Sequence, residues 1–319
     1  MDKKIPVIDL HEDLLLHVSR RELYPADHWQ TNFEMLKEQN FKVVVSTAFP
    51  VPPQENFFDP ASNAIIEHDF QTYKKYCSEC PEWSIIKNSS DVEAILKDDS
   101  RHGFLLHVEG LNVFDGDWEM LERWYGLGWR SLGIVWNLTN PFGGGTKDLF
   151  QGLTVLGTQM LDWLQERRML IDFAHMNKQT FFDTAKLVRC PIIISHGNAA
   201  ALCPSLRNYD DEQLRVVAKS GGVVGVFFGS MFLVGKEKSP GTVKDIVDHI
   251  DHFRKVMGIE YIAIGSDLGG ITTGTLSDLN SVQKIDLLWS ELRNRGYSEE
   301  DIEKISYGNI LRVFKEILL

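Results

Sequence analysis

Eight short runs rich in β-branched, aliphatic and aromatic residues recur along the 319-residue chain, at 6–11, 42–48, 103–109, 130–136, 169–175, 191–196, 222–228 and 261–267. Many are apolar at nearly every position, the pattern of strands covered on both faces. Amphipathic, helix-like stretches lie between or after them, at 157–168, 178–187, 211–219, 243–256, 277–295 and 298–318. Strand followed by helix, eight times over, predicts an α/β fold of the (β/α)8 TIM-like barrel class with all strands parallel. The alternative is an open doubly wound sheet, but no run is followed by the glycine-rich nucleotide-binding turn that marks such sheets. No linker and no repeat beyond the βα unit divides the chain, so residues 1–319 read as a single barrel domain.

Two segments break the regular spacing. Residues 50–82 begin proline-rich and turn helical, delaying the third strand. Residues 137–149 contain Gly143-Gly144-Gly145 and are expected to form a mobile loop. Both follow strands, so both fall at the C-terminal face of a barrel, where barrel active sites lie. With 33 Lys and Arg against 45 Asp and Glu, the net charge is −12. That balance argues against nucleic acid or an anionic membrane as a partner. The apolar run beginning at Ile5 is cut off by His11, Glu12 and Asp13, too soon for a secretion signal, and no later run could span a bilayer. The expected location is cytoplasmic. Of the four cysteines, Cys77 and Cys80 form a lone C-x-x-C with no second Cys or His pair nearby, and they read as two ordinary thiols.

The chemistry sits where the runs end. The first ends in His11-Glu12-Asp13, and others end in Glu109, His175, His196 and Asp267. In a barrel these ends converge on one mouth, gathering three imidazoles and three carboxylates. Carboxylates brought together raise one another's pKa, and divalent cations relieve the repulsion. Neutral imidazole and carboxylate are the preferred zinc ligands of hydrolytic sites. Six ligands are too many for one tetrahedral ion and suit two ions bridged by a carboxylate and a hydroxide. Each residue alone also has an ordinary reading: a hydrogen-bonded core histidine, a surface glutamate, a helix-capping aspartate. Their shared placement at one end of the strands is what sets them apart. His107, two residues before Glu109, points the same way; it reads equally as a partner to a ligand or as a packed histidine. His17, His28, His68, His102, His249 and His252 lie in helical or loop contexts and are expected to be solvated.

Several motifs in order resemble the membrane (renal) dipeptidase family, peptidase family M19, among the amidohydrolase-like metal-dependent hydrolases. Asp9-Leu10-His11-Glu12-Asp13 is similar to its D-x-H-x-D start, and Val108-Glu109-Gly110 to its glutamate motif. Ile171-Asp172-Phe173-Ala174-His175, Ser195-His196, Arg207-Asn208 and Gly265-Ser266-Asp267 resemble later motifs, and Gly308-Asn309 with Leu311 to Phe314 its closing helix. The resemblance implies two zinc ions per chain: His11 and Asp13 on one, His175 and His196 on the other, Glu109 bridging. It implies a zinc-dependent dipeptidase that attacks the peptide carbonyl with the shared hydroxide and accepts a D-residue at the C-terminal position. Asp267 would shuttle the proton, and Arg207 would pair with the substrate's carboxylate. The family's strand-four histidine, which assists the carbonyl, is replaced here: Trp136 and Asn137 occupy that stretch of the substrate site. Gly269 stands where a second aspartate is usual. The Trp136 replacement keeps a related binuclear-zinc amidase or lactonase, acting on another small acyl substrate, as the alternative. A homodimer is an expectation from the resemblance alone.

Overall fold

Among the described residues, nine strands make one sheet in which every pairing is parallel: β1 (Val7–Glu12), β2 (Phe41–Ala48), β3 (Trp83–Ile85), β4 (His102–Glu109), β5 (Trp129–Gly133), β6 (Leu170–Asp172), β7 (Ile193–Gly197), β8 (Val223–Val226) and β9 (Ile262–Ile264). Their order is β2-β1-β9-β8-β7-β6-β5-β4-β3, and β2 also pairs with β4, from Val43↔Gly103 to Ala48↔Val108. That pairing closes eight strands into a ring, so the fold is the expected (β/α)8 barrel and not an open sheet. The computed structural model describes residues 4–16, 29–50, 60–112, 114, 116–271 and 274–319. His17, His28, residues 1–3 and the proline-rich 51–59 lie outside the described residues.

Strand β3 was not anticipated. It pairs with the start of β4, from Trp83↔His102 to Ile85↔Phe104, and β5 takes over the same edge from Leu106 onward. Three residues are too few to show a period in sequence. Two further helix boundaries differ. Within 277–295 an α-helix forms only at Asp286–Asn294, after a 3-10 turn at Val282–Lys284. The stretch 298–318 is broken by a π-helical turn, Lys304–Gly308, between Glu299–Glu303 and Asn309–Ile317. Asn309 at that break donates from Nδ2 to the carbonyls of Ile259 and Ile262, at 2.7 and 2.8 Å, which ties the last helix to β9.

The barrel has a polar end and an apolar end. Early residues of several strands (Ile8, Val43, Leu105, Ile193, Val223) share one cluster with Ile310, Val313, Phe314 and Ile317 of the final helix. Hydrophobic burial thus closes the N-terminal face. At the other face β1 departs from regular geometry. Ile8 pairs with Val43 in β2, and His11 reaches Thr47 in the same strand, Nε2 to Oγ1 3.3 Å. Residues 43 and 47 share a face of a regular strand, whereas 8 and 11 would not. Between Asp9 and Glu12 β1 advances three residues while β2 advances two, from Val44 to Ser46, so β1 carries one extra residue there, as strands bulged near functional sites do.

Residues 137–149 are pinned rather than mobile. Asn140 donates to the Ile134 carbonyl, Gly144 N–H to Thr180 Oγ1, and Asn177 Nδ2 to the carbonyls of Asp148 and Gln151. Here glycine serves close approach: a Cβ on Gly145 would lie 1.9 Å from the Trp136 carbonyl oxygen. His102 and His249 are buried and hydrogen-bonded to backbone, contrary to the solvated expectation; His68 remains half exposed. The four cysteines are free thiols. Replacing Gly145 by Ala is expected to cost about 1–3 kcal/mol, because the obstructing atom is backbone. Urea denaturation checks this, and an unchanged midpoint would contradict the packed-loop description.

Candidate metal centre

Glu109, the last residue of β4, projects Oε1 into the polar mouth, where three imidazoles surround it. The distances to that atom are 2.9 Å from His175 Nε2, 3.7 Å from His11 Nε2 and 3.8 Å from His196 Nε2. Tetrahedral zinc, with bonds of about 2.0–2.1 Å, sets its ligand atoms about 3.3 Å apart. The observed spacing brackets that value. His11, Glu109 and His196 have ligand atoms within 4.8 Å of one another, and so do His11, Asp13 and Asp267. The nitrogen and oxygen donor set suits a divalent transition metal. Asp13 Oδ1 is buried with no hydrogen-bond partner among the described residues, as an oxygen kept for a cation would be.

The three rings are oriented from behind. His175 Nδ1 lies 2.8 Å from Asn137 Oδ1. His196 Nδ1 lies 2.8 Å, and His11 Nδ1 3.3 Å, from the hydroxyl of Ser195, which itself donates to Asp172 Oδ2 at 2.5 Å. With the proton on each Nδ1, every Nε2 lone pair faces Glu109. Asp172, at the end of β6, also accepts from the Ser195 and Ala174 backbone N–H groups. Sequence reasoning quoted Asp172 and Ser195 within motifs without giving them this work. Asn137 lines the mouth as expected, yet its side-chain oxygen is directed to His175. His107 is fully buried, 2.8 Å from Ser131 Oγ through Nδ1 and 3.6 Å from Asp172 Oδ2 through Nε2. It therefore stands behind Asp172, the residue that orients Ser195, and its ring also lies edge-on to that of His11, centroids 5.6 Å apart.

Two members sit on unusual backbone. His175 has φ 64° and Asp267 φ 58°, the left-handed region that costs most non-glycine residues energy. His175 follows β6 by a turn, and this conformation swings its ring back over the mouth. Asp267 is held by donation from its N–H to the His11 carbonyl at 2.9 Å. Arg207 is buried and donates from Nη2 to the His196 carbonyl at 3.3 Å, while Nη1 has no partner among the described residues. Trp136 lies over His175, ring centroids 5.8 Å apart. Gly269 has φ 92°, and a Cβ there would meet the Asp13 carbonyl oxygen at 2.7 Å, so a larger residue would crowd this backbone.

Burial governs the ionisation of the cluster. It pushes Glu109, Asp13 and Asp267 well above the usual carboxylate range, and neighbouring negative charges push further: Asp267 on Glu109, Glu109 on Asp13, Asp13 on Asp267. Burial likewise holds His11, His175 and His196 well below the usual imidazole value, with Arg207 and the other histidines adding to the effect. Asp9 is raised to about 6 by burial, against the lowering effect of hydrogen bonds from Ser266 and the His11 N–H. Neutral imidazoles and crowded carboxyls are what a cation site presents before it is filled.

The chain matches the sequence profile of the membrane dipeptidases (Peptidase family M19) over residues 1–318. It is 38% identical over 239 residues to the "uncharacterized protein in pqqA 5'region" of Klebsiella pneumoniae, covering 72% of this chain and 87% of that one. It is 27% identical to Dipeptidase 3 of Mus musculus across 99% of its own length but spans only 65% of the mouse protein. Its fold resembles that of a Rhodobacter sphaeroides metallopeptidase liganded with a phosphinate mimic of the dipeptide L-Ala-D-Ala: TM-score 0.88, 23% identity, 99% of this chain and 100% of that one. No helix among the described residues is long and apolar enough to cross a membrane. The profile match across the chain, joined to the barrel and its His-carboxylate mouth, places this protein in the membrane dipeptidase family, peptidase family M19, a family of hydrolytic metallopeptidases.

Proposed function

We propose that the chain hydrolyses the peptide bond of dipeptides at a centre of two divalent ions, zinc by its donor chemistry. The observation that carries this reading is the convergence of three Nε2 atoms on Glu109 Oε1 beside Asp13. His11 and Asp13 would hold one ion, His175 and His196 the other, with Glu109 shared. When bound, such a pair lowers the pKa of a shared water and polarises the scissile carbonyl. Asp267 takes the proton of the attacking water and delivers it to the leaving amine. The unpartnered Nη1 of Arg207 receives the substrate's C-terminal carboxylate. The ligand of the Rhodobacter relative supports tolerance of a D-residue at that end. One contiguous core running from Val7 to Ile305 supports residues 1–319 as one catalytic unit. Trp136 in the cleft is the observation that favours the second reading, a related amidase or lactonase.

Metal should stabilise the protein more as pH rises. In the metal-free native state the raised carboxyls keep protons that the unfolded chain has released above pH about 4. Stability contributed by these groups is therefore present at low pH and lost as pH climbs through their native values. The histidines act the other way: below about pH 6.5 the unfolded chain takes up protons that the native protein refuses, so their share of stability is lost as pH falls, while the protons that zinc must displace sit on the raised carboxyls. The zinc-induced rise in Tm, measured against chelated protein, is expected to be larger at pH 7.5 than at pH 5.5. An equal or absent rise would count against the centre.

Glu109→Gln is expected to leave the barrel folded while lowering metal content and cutting kcat/KM at least about a hundredfold. Full turnover with two ions per chain would remove Glu109 from the bridging role. Arg207→Met should lower kcat/KM roughly a hundredfold on dipeptides with a free carboxylate and far less on their C-terminal amides. An equal loss on both would contradict the carboxylate assignment.

A further inference from the structure

The cleft over the centre has two apolar walls that face each other. Around the closed ring the strands succeed one another as β1, β2, β4, β5, β6, β7, β8, β9, so β2 stands diametrically across from β7. Beyond the ends of β1 and β2, Leu16 and Phe49 form a small cluster of their own, separate from the main core. Trp136, beyond β5, packs edge-on against Phe49, with centroids 5.1 Å apart and planes at 63°, and leans over His175. On the far side Phe227 stands edge-on to His196 at 5.4 Å, and Phe232 packs against it at 5.3 Å. Arg207 belongs to this far side through its bond to the His196 carbonyl. Every one of these side chains lines the cleft.

We propose that the wall of Leu16, Phe49 and Trp136 receives the side chain of the substrate's N-terminal residue and selects dipeptides in which that side chain is apolar. The proposal rests on the dipeptidase reading and deepens it. Arg207 fixes the substrate's carboxylate on the β7 side, and the scissile carbonyl must lie over Glu109. A dipeptide advances by about 3.5 Å per residue, so its N-terminal residue extends toward β2 and β5. There it meets an apolar cluster that the barrel core does not use. A charged side chain would lose hydration against these three groups without gaining a partner from them. Glycine would make no side-chain contact with the partly exposed Trp136. The Trp136 indole carries no charge at any pH, so it cannot compensate an acidic side chain as an imidazolium could. It offers instead a broad apolar face at the edge of His175.

The test uses the zinc-loaded chain on X-Ala dipeptides with X = Gly, Ala, Val, Leu, Phe, Asp or Lys. It adds calorimetric affinities for the phosphinate analogues of Gly-Ala and Leu-Ala, which need no turnover. Leu and Phe are expected to exceed Gly by at least about tenfold in kcat/KM, with Asp and Lys at or below Gly. The Leu analogue should bind tighter than the Gly analogue by a similar factor. Trp136→Ala and Phe49→Ala should each shrink the Leu/Gly ratio to about threefold or less, and Trp136→Phe should keep most of it. The ratio is internal to each variant, so a partly destabilised protein still reports it. A wild-type ratio near one, or a ratio that survives both alanine variants, overturns the proposal and leaves the dipeptidase reading standing. Failure of the zinc-loaded protein to cleave any dipeptide overturns both.

Discussion

The mutual repulsion of buried Asp13 and Glu109 and half-buried Asp267 is the constraint around which the polar end of the barrel is organised. Each carboxyl is pushed toward its neutral form by burial and by its neighbours. A fold that assembles such a cluster must hold it rigidly and supply positive charge, because nothing in an apolar interior offsets it. Arg207, itself buried beside the mouth, is a cation whose charge acts on Glu109 and Asp267. The rest of the requirement falls on a donor cluster of the kind that could hold a metal ion. The irregular register of β1 and the left-handed residues His175 and Asp267 then read as local costs that aim ligands at one point.

Much of this was visible in the residue order, since a strand that ends in a histidine or carboxylate places it at the mouth whatever its exact length. The eight runs, the positions of His11, Asp13, Glu109, His175, His196 and Asp267, and the late helices 211–219 and 243–256 needed only periodicity. What escaped has physical causes. Strand β3 is held by its partner β4 rather than by its own pattern. The three glycines at 143–145 signal flexibility in a flexible chain but close contact in a packed one, and only the neighbouring Trp136 carbonyl and Thr180 distinguish the two. Burial of His102 and His249 depends on carbonyls and an N–H distant in sequence.

The layer behind the ligands was the least legible part. Ser195 and Asp172 are ordinary letters in a strand, and their work depends on two histidines from different strands finding one hydroxyl. Asn137 shows the same limit. Its sequence position suggested the substrate, while its oxygen is turned to His175. Residues that orient ligands leave no spacing of their own, because their partners come from across the ring. The family resemblance named the candidate ligands; the hydrogen bonds explain why their rings face inward.

The apolar floor ties the two ends of the chain together in time as well as in space. Ile8 and Val43 share their cluster with Ile310 and Phe314, and β1 pairs with both β2 and β9. The earliest strands therefore have no finished surroundings until the latest segments have been made and have docked. Such pairings across nearly the whole sequence are slow to form, since the loop between them must close first. His11 and Asp13 arrive from the first strand and Asp267 from just beyond the last, so the closing of the ring and the gathering of the charged mouth are one event. Asp267 therefore meets Asp13 and Glu109 only when β9 has docked beside β1.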